Sequence, residues 1–203
     1  MNKISSLKKI FYLILFSLLL YSAYWIYVSI KFKNEIEYFI NKQEISIDQI
    51  YVTGFPYRLE SHIKNLSLER DQGDYLYLAI PHLKISISPF SFNKIFFQSN
   101  SSSLKFKNVA QELDIFNNQS RLSIVIENEL IKRSIFMFEE NEIAYKNIFF
   151  DYNKKLNNII LDGKINYIDN KLNGNLQLDI YDKNGKKKFA APISIDDNIL
   201  KLL

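Results

Sequence analysis

The side chains with the most chemistry to offer are few. His62 and His82 are the only histidines, and Glu60 stands two residues before the first of them. A zinc site needs three or four ligands, so these three could hold a metal only if folding brought them together. Alternation through Arg58, Glu60, His62 and Lys64 places His62 on the polar face of a strand, and a solvated imidazole is the plainer reading. Arg58, one of four arginines, carries a planar fork suited to a carboxylate or a lipid phosphate. The plainer role is again structural, as the partner of an acid on a neighbouring strand. Ser-x-x-Lys occurs at Ser5, Ser6, Ser61, Ser91 and Ser102, but none of these opens a helix as that nucleophile requires. Five scattered glycines form neither a G-x-S-x-G elbow nor a phosphate loop. The absence of cysteine removes disulfides, thiolate metal sites and cysteine nucleophiles. The expectation is a non-enzymatic protein with no catalytic residue, no metal and no cofactor.

Charge argues against nucleic acid. The formal charge is +4, yet Lys3, Lys8, Lys9, Lys31 and Lys33 precede Asn34 with no acid among them. Those five leave 21 bases against 22 acids in the remainder, so the folded part lacks the basic footprint of a nucleic-acid binder. Lys183, Lys186, Lys187 and Lys188 could meet anionic head groups, although such a run is more often a solvated hairpin tip. The excess of Lys, Ile and Asn is that of an AT-rich, bacterial genome.

Residues 10–30 carry no charge. A helix of that length reaches about 31 Å, the thickness of the hydrocarbon layer. Its twelve Leu, Ile, Phe and Val residues favour insertion by roughly 6 kcal/mol before the smaller Ser and Tyr terms. Tyr24, Trp25 and Tyr27 gather near one end, as interfacial rings do. The run is longer than a signal-peptide core and no A-x-A-like site follows it, so an uncleaved signal-anchor is expected. Lysines flank both ends almost equally; a short tail before the anchor and a large domain after it favour an N-terminus inside. Ile36, Phe39 and Ile40 continue the helical period as an amphipathic stem. The expected division is a cytoplasmic tail at 1–9, an anchor at 10–30, a stem at 31–43 and an extracytoplasmic β domain at 44–203. The expected location is a bacterial inner membrane, crossed once, with the C-terminal domain in the periplasm.

Beyond Glu44 the period becomes two. Leu172, Leu176, Leu178 and Ile180 face one way while Asn173, Asn175, Gln177 and Asp179 face the other, the mark of a half-buried antiparallel strand. Leu83 to Ser88 and Leu122 to Ile126 alternate likewise. Turns are expected at Asp71-Gln72-Gly73-Asp74, Asn117-Asn118, Glu140-Asn141, Asn153 to Asn158, Asp169-Asn170 and, most clearly, Asn184-Gly185. Strands of about eight to ten residues would then meander, with at most one helical turn within Glu127 to Lys132. The fold class is mainly β on one long N-terminal helix: an antiparallel, curved sheet forming a trough, an open barrel or a sandwich. Tyr75 to Leu78 and Ile148 to Phe150 place bulk on both faces, which favours a sheet partly buried on both sides.

Gly54-Phe55-Pro56-Tyr57-Arg58-Leu59 marks a strand break. Gly54 admits a backbone angle other residues resist, and Pro56 removes a ladder donor. This hexapeptide resembles the G-[FY]-P-[FY]-R-[FIL] signature of an alphaproteobacterial envelope family catalogued as a domain of unknown function, number two-one-two-five. Ala79-Ile80-Pro81-His82-Leu83, with Ser88-Pro89 after it, is similar to that family's small-x-Pro-x-Leu stretch, and the likeness covers residues 45–106. The chain departs from the family in its short length, its lack of cysteine and the missing tryptophan before Pro81. More loosely, the helix-then-sheet plan resembles AsmA and TamB-type lipid-bridge proteins and the bitopic component of lipopolysaccharide transport. That resemblance implies a lipid-accommodating trough. Gly54, Phe55, Pro56, Tyr57 and Arg58 are the candidate binding residues. The expected function is a membrane-anchored envelope protein that binds or guides lipid; the alternative is a scaffold recruiting envelope proteins through sheet edges and stem.

Overall fold

The computed structural model describes residues 2–195 other than 72, 128–129, 148, 150–151, 169–170 and 183. One helix, α1 (Asn2–Lys42), precedes the strands β1 (Gln49–Thr53), β2 (Leu59–Asp71), β3 (Tyr75–Ser88), β4 (Ser91–Ser99), β5 (Ser102–Lys107), β6 (Gln111–Asn117), β7 (Gln119–Glu127), β8 (Leu130–Asn147), β9 (Tyr152–Ile168), β10 (Lys171–Tyr181) and β11 (Lys187–Ile195).

No glycine or proline interrupts α1, and its 41 residues extend about 62 Å. Expected anchor and stem are one rod. Its end is capped by Glu44 in the left-handed region (φ 56°), which lets Ile45 N–H donate to the Ile40 carbonyl at 3.0 Å and Glu44 N–H to Asn41 at 3.2 Å. Ile45 also packs with Ile40, completing the usual paired-bond helix stop.

Every strand pairing is antiparallel. The order is β1-β2-β3-β4-β7-β8-β9-β10-β11, while β5 pairs with β3 and β6, and β6 with β8. The circuit β3-β4-β7-β8-β6-β5 returns on itself without making a barrel. Ser99 lies opposite Leu83 and Ser103 opposite Ala79, so both strands advance by the same number of residues. Phe116 likewise faces Glu142 and Gln119 faces Glu139. Thus β4 and β5 are one ribbon with a gap, as are β6 and β7. The sheet is a single curved meander, and β1 and β11 are its two edges among the described residues.

The gaps belong to a seam that crosses the sheet. On β2 the residues packed toward α1 are Leu59 and Ile63, then Leu66; on β3 they are Ile87, Ile85 and Leu83, then Ile80. Each strand therefore takes a three-residue step where strict alternation takes two. Directly opposed residues share a face, so the register carries the pattern onward. One row runs Ile85, Phe97, Leu122, Phe136, Gly163, Leu176; across the seam another runs Leu78, Leu104, Ile115, Ile143, Leu156. A one-residue slip in a single strand would send half its side chains to the wrong face. Here the neighbours slip together, so pairing survives and the hydrocarbon stays on one side.

Local chemistry along the seam fits this role. Asn65 and Asn158 adopt left-handed backbone (φ 51° and 55°), which asparagine tolerates better than most residues. Pro81 lacks a ladder donor. Asn117 Nδ2 donates to Asn141 Oδ1 at 2.5 Å, and Asn141 Nδ2 donates to the Phe138 and Ile159 carbonyls at 3.0 and 2.9 Å. Ser99 Oγ donates to Ser101 O at 2.6 Å and accepts from Ser101 N–H at 3.2 Å. Side chains thus engage backbone groups that the interrupted ladder releases.

Several expected turns are consequently not turns. Asn117-Asn118 joins two collinear strands, Glu140-Asn141 lies inside β8, and Asn153 to Asn158 lies inside β9. The strands are correspondingly longer than expected, up to 18 residues in β8. Gly73 (φ 99°) and Gly185 (φ 75°) do sit in the expected turns around Asp71 to Asp74 and Asn184. Asp169-Asn170 falls outside the described residues. Of Glu127 to Lys132, the described part is strand rather than helix. The double-sided bulk holds in part: Leu76 and Leu78 share the apolar face, Tyr75 and Tyr77 take the other, and all four are half-buried, whereas Phe149 is exposed and residues 148 and 150 are not described.

Candidate functional site

α1 lies on the first part of the apolar face. Tyr21, Trp25, Val28, Phe32, Ile36 and Ile40 follow one another at helical spacing on the side turned from solvent. Val28 closes on Leu59 and Ile87, with Trp25, Phe32, Val52 and Ile95 around them; Ile40 closes on Ile63 and Leu66. Phe39, expected in this stripe, is exposed, although it borders an apolar groove of about 350 Å³ that Phe32, Ile36, Leu83, Ile95 and Phe97 also line. The groove lies where cover by the helix ends. Beyond it Leu122, Ile124, Phe136, Phe138, Leu161 and Leu176 continue the face half-buried. Phe136 and Leu176 close over Gly163, where a Cβ would meet them at 2.8 and 2.4 Å. The result is a hydrocarbon-lined trough, roofed by α1 at one side.

The five candidate residues form the turn between β1 and β2. Arg58 N–H donates to the Gly54 carbonyl at 2.9 Å. Gly54 has φ 100°, and a Cβ there would stand 2.7 Å from the Arg58 oxygen, so the position requires glycine. The Phe55–Pro56 peptide is cis. The Phe55 ring meets Trp25 edge-on at 5.5 Å and Tyr21 at 5.9 Å; the Tyr21 hydroxyl donates to the Pro56 carbonyl. Tyr57 is 80% exposed. The Arg58 side chain is also largely exposed, with Glu60 at the start of β2 4.0 Å away. That contact replaces the expected partner on a neighbouring strand. Arg58 and Tyr57 instead border a hollow of about 360 Å³ with Lys84, Ser86, Phe96 and Gln98.

A second turn beside it was not singled out from sequence. Tyr24 OH donates to the Pro89 carbonyl at 2.9 Å, and Phe90 stacks on Tyr21 at 5.9 Å. The available signal was the pairing of Pro with Phe at 55–56 and again at 89–90. Both turns are thus pinned to Tyr21, Tyr24 and Trp25, within residues 10–30.

The histidines do meet. His62 Nδ1 and His82 Nε2 are 3.2 Å apart, Tyr51 stacks on His62 at 5.0 Å, and Thr53 Oγ1 lies 3.1 Å from His62 Nε2. Glu60 is 3.9 Å from that same Nε2. His82 and Glu60 therefore address opposite nitrogens of one ring, which cannot both bind a single ion, and no cluster suited to a metal occurs among the described residues. Partial burial and the neighbouring His82 charge lower the His62 pKa, Glu60 opposing them. The arrangement is a hydrogen-bonded string on the polar face. At the β10–β11 turn Lys187 is bound to Asp179 at 2.7 Å, an interaction that raises the lysine pKa and lowers that of the acid. Lys183 is outside the described residues.

Helix, sheet and trough define a class: a mainly antiparallel β protein carried on one helix long and apolar enough to cross a membrane. No family model, no curated protein and no solved structure matches the chain.

Proposed function

We propose that this protein is a non-catalytic, single-pass component of a bacterial envelope whose β trough, held outside the cytoplasm, binds or guides lipid acyl chains. One observation carries the reading: the apolar face runs unbroken across the meander, yet α1 covers only its first strands. Seven aliphatic residues are buried among the described ones, and all but Ile159 lie on α1, β2 or β3. An uncovered hydrocarbon surface of this extent needs an occupant, and its continuity with a membrane-spanning helix makes lipid the nearest source. The GFPYRL likeness to an envelope family and the looser likeness to lipid-bridge proteins support the same reading. The test is cross-linking of the full chain in nanodiscs to phospholipid bearing a photoreactive acyl chain, mapped by peptide mass spectrometry. Adducts on β7 to β10 are expected. Adducts confined to α1 would overturn the proposal.

A further inference from the structure

We infer that the β1–β2 and β3–β4 turns are immersed beside α1 in the extracytoplasmic interface of the membrane that α1 crosses, so that the trough opens directly at the bilayer. The inference rests on the anchoring half of the proposed function and is independent of what the trough carries. Depth is fixed by the docking contacts. Tyr21, Tyr24 and Trp25 hold the Pro56, Pro89 and Arg58 carbonyls, yet the uncharged run continues to Ile30. At 1.5 Å per residue the two turns meet α1 about 8 to 14 Å below the outer end of that run.

The alternative is a bilayer shifted toward the N-terminus, ending before Tyr21. Only residues 10–20 would then remain as apolar span, about 16 Å or half the layer. Lys8 and Lys9 would have to enter the hydrocarbon, at roughly 2.5 to 3.5 kcal/mol each near its centre. Immersing the turns avoids this, and their composition suits immersion. Phe55, Tyr57, Phe90 and Phe92 are 51%, 80%, 68% and 54% exposed, the amphipathic and aromatic content of an interfacial belt. Arg58 at the base of the first turn has an exposed head that can reach the phosphate level. Leu130 and Ile131, at the same end of β8, are exposed as well. The opposite end of the sheet presents Asp71, Gly73, Asp74 and Asn108 at its turns, with Val109 and Phe149 as exposed apolar residues.

The chain has no cysteine, so single cysteines carrying an environment-sensitive fluorophore report depth directly. Tyr57→Cys, Phe92→Cys, Val109→Cys and Leu15→Cys would be reconstituted as full chains in phosphatidylcholine vesicles with and without brominated acyl chains. Expected is quenching by the brominated lipid and shielding from aqueous iodide at Tyr57→Cys and Phe92→Cys, as at Leu15→Cys, with the reverse at Val109→Cys. If the labels at Tyr57→Cys and Phe92→Cys follow Val109→Cys while Leu15→Cys is still quenched, the anchor stands and the immersion is wrong. Loss of quenching at Leu15→Cys as well would remove the anchor and, with it, both readings.

Discussion

The two halves of the sheet share one pairing scheme and differ in what lies over them. Under α1, strands β1 to β4 enclose Leu59, Ile63, Leu66 and Ile87 almost completely; across β7 to β10 the apolar-face residues Leu122, Phe136, Leu161 and Leu176 are only half-buried. Hydrophobic patterning is equal in the two, so patterning does not set the difference. Cover does. The first half behaves as a core, because a helix contributes the second layer that a one-faced sheet needs. The second half keeps its apolar row without such a layer.

This contrast can be broken by substitution. Leu59→Ala should lower stability by about 3 kcal/mol, as large-to-small changes in a closed core do, whereas Leu122→Ala should lower it by about 1 kcal/mol in lipid-free detergent. Urea titration followed by Trp25 fluorescence measures both, and equal losses would abolish the distinction between core and trough. Gly54→Ala tests the link from sheet to helix. With φ 100° and a Cβ driven against the Arg58 carbonyl, it should cost about 2 kcal/mol and change the near-ultraviolet dichroism of Trp25; a native spectrum and melting curve would show that the turn is not held as described. Asn141→Ala removes the donor shared by the Phe138 and Ile159 carbonyls and should cost about 1.5 kcal/mol, read from the same titration. An unchanged midpoint would mean that the seam does not depend on its amides.

The smallest effect concerns pH. His62 has a pKa below its ordinary 6.5, so between that lowered value and 6.5 the unfolded chain binds more protons than the folded one. Stability due to this site is therefore intact above 6.5 and falls as pH drops through the window. In His62→Gln the fall should be shallower. Melting temperatures of the two proteins that keep a constant separation across the window would exclude the effect.

Much of this was legible in the residues and some was not. Period-two alternation identified β10 from Leu172 to Ile180, and the uncharged run identified α1. Asn117, Asn141 and Asn158 misled, because asparagine serves the same local purpose in a hairpin turn and in a strand dislocation: it accepts left-handed backbone and bonds to nearby peptide groups. What separates the two cases is whether the neighbouring strands step at the same level, a relation between Asn65, Pro81, Ser101, Asn118 and Asn158 that no window of a single strand contains. The GFPYRL segment was rightly marked as a break in the chain. Its attachment to Tyr21 and Trp25 was hidden, since the apolar run around those residues is sufficiently explained by a membrane.

The seam also governs how such a protein can change in length. It behaves as a line defect in a crystal does, terminating only at a boundary. Deleting its extra residue from one interior strand would set that strand out of phase with both flanking strands, so the losses would have to be made everywhere together or at a margin. Growth by a further hairpin beyond β11 meets the opposite constraint, because β10 ends near the level of Ile159 and a short newcomer never reaches the fault. Additions at that margin are therefore free to follow plain alternation, while the middle of the sheet is fixed in its count.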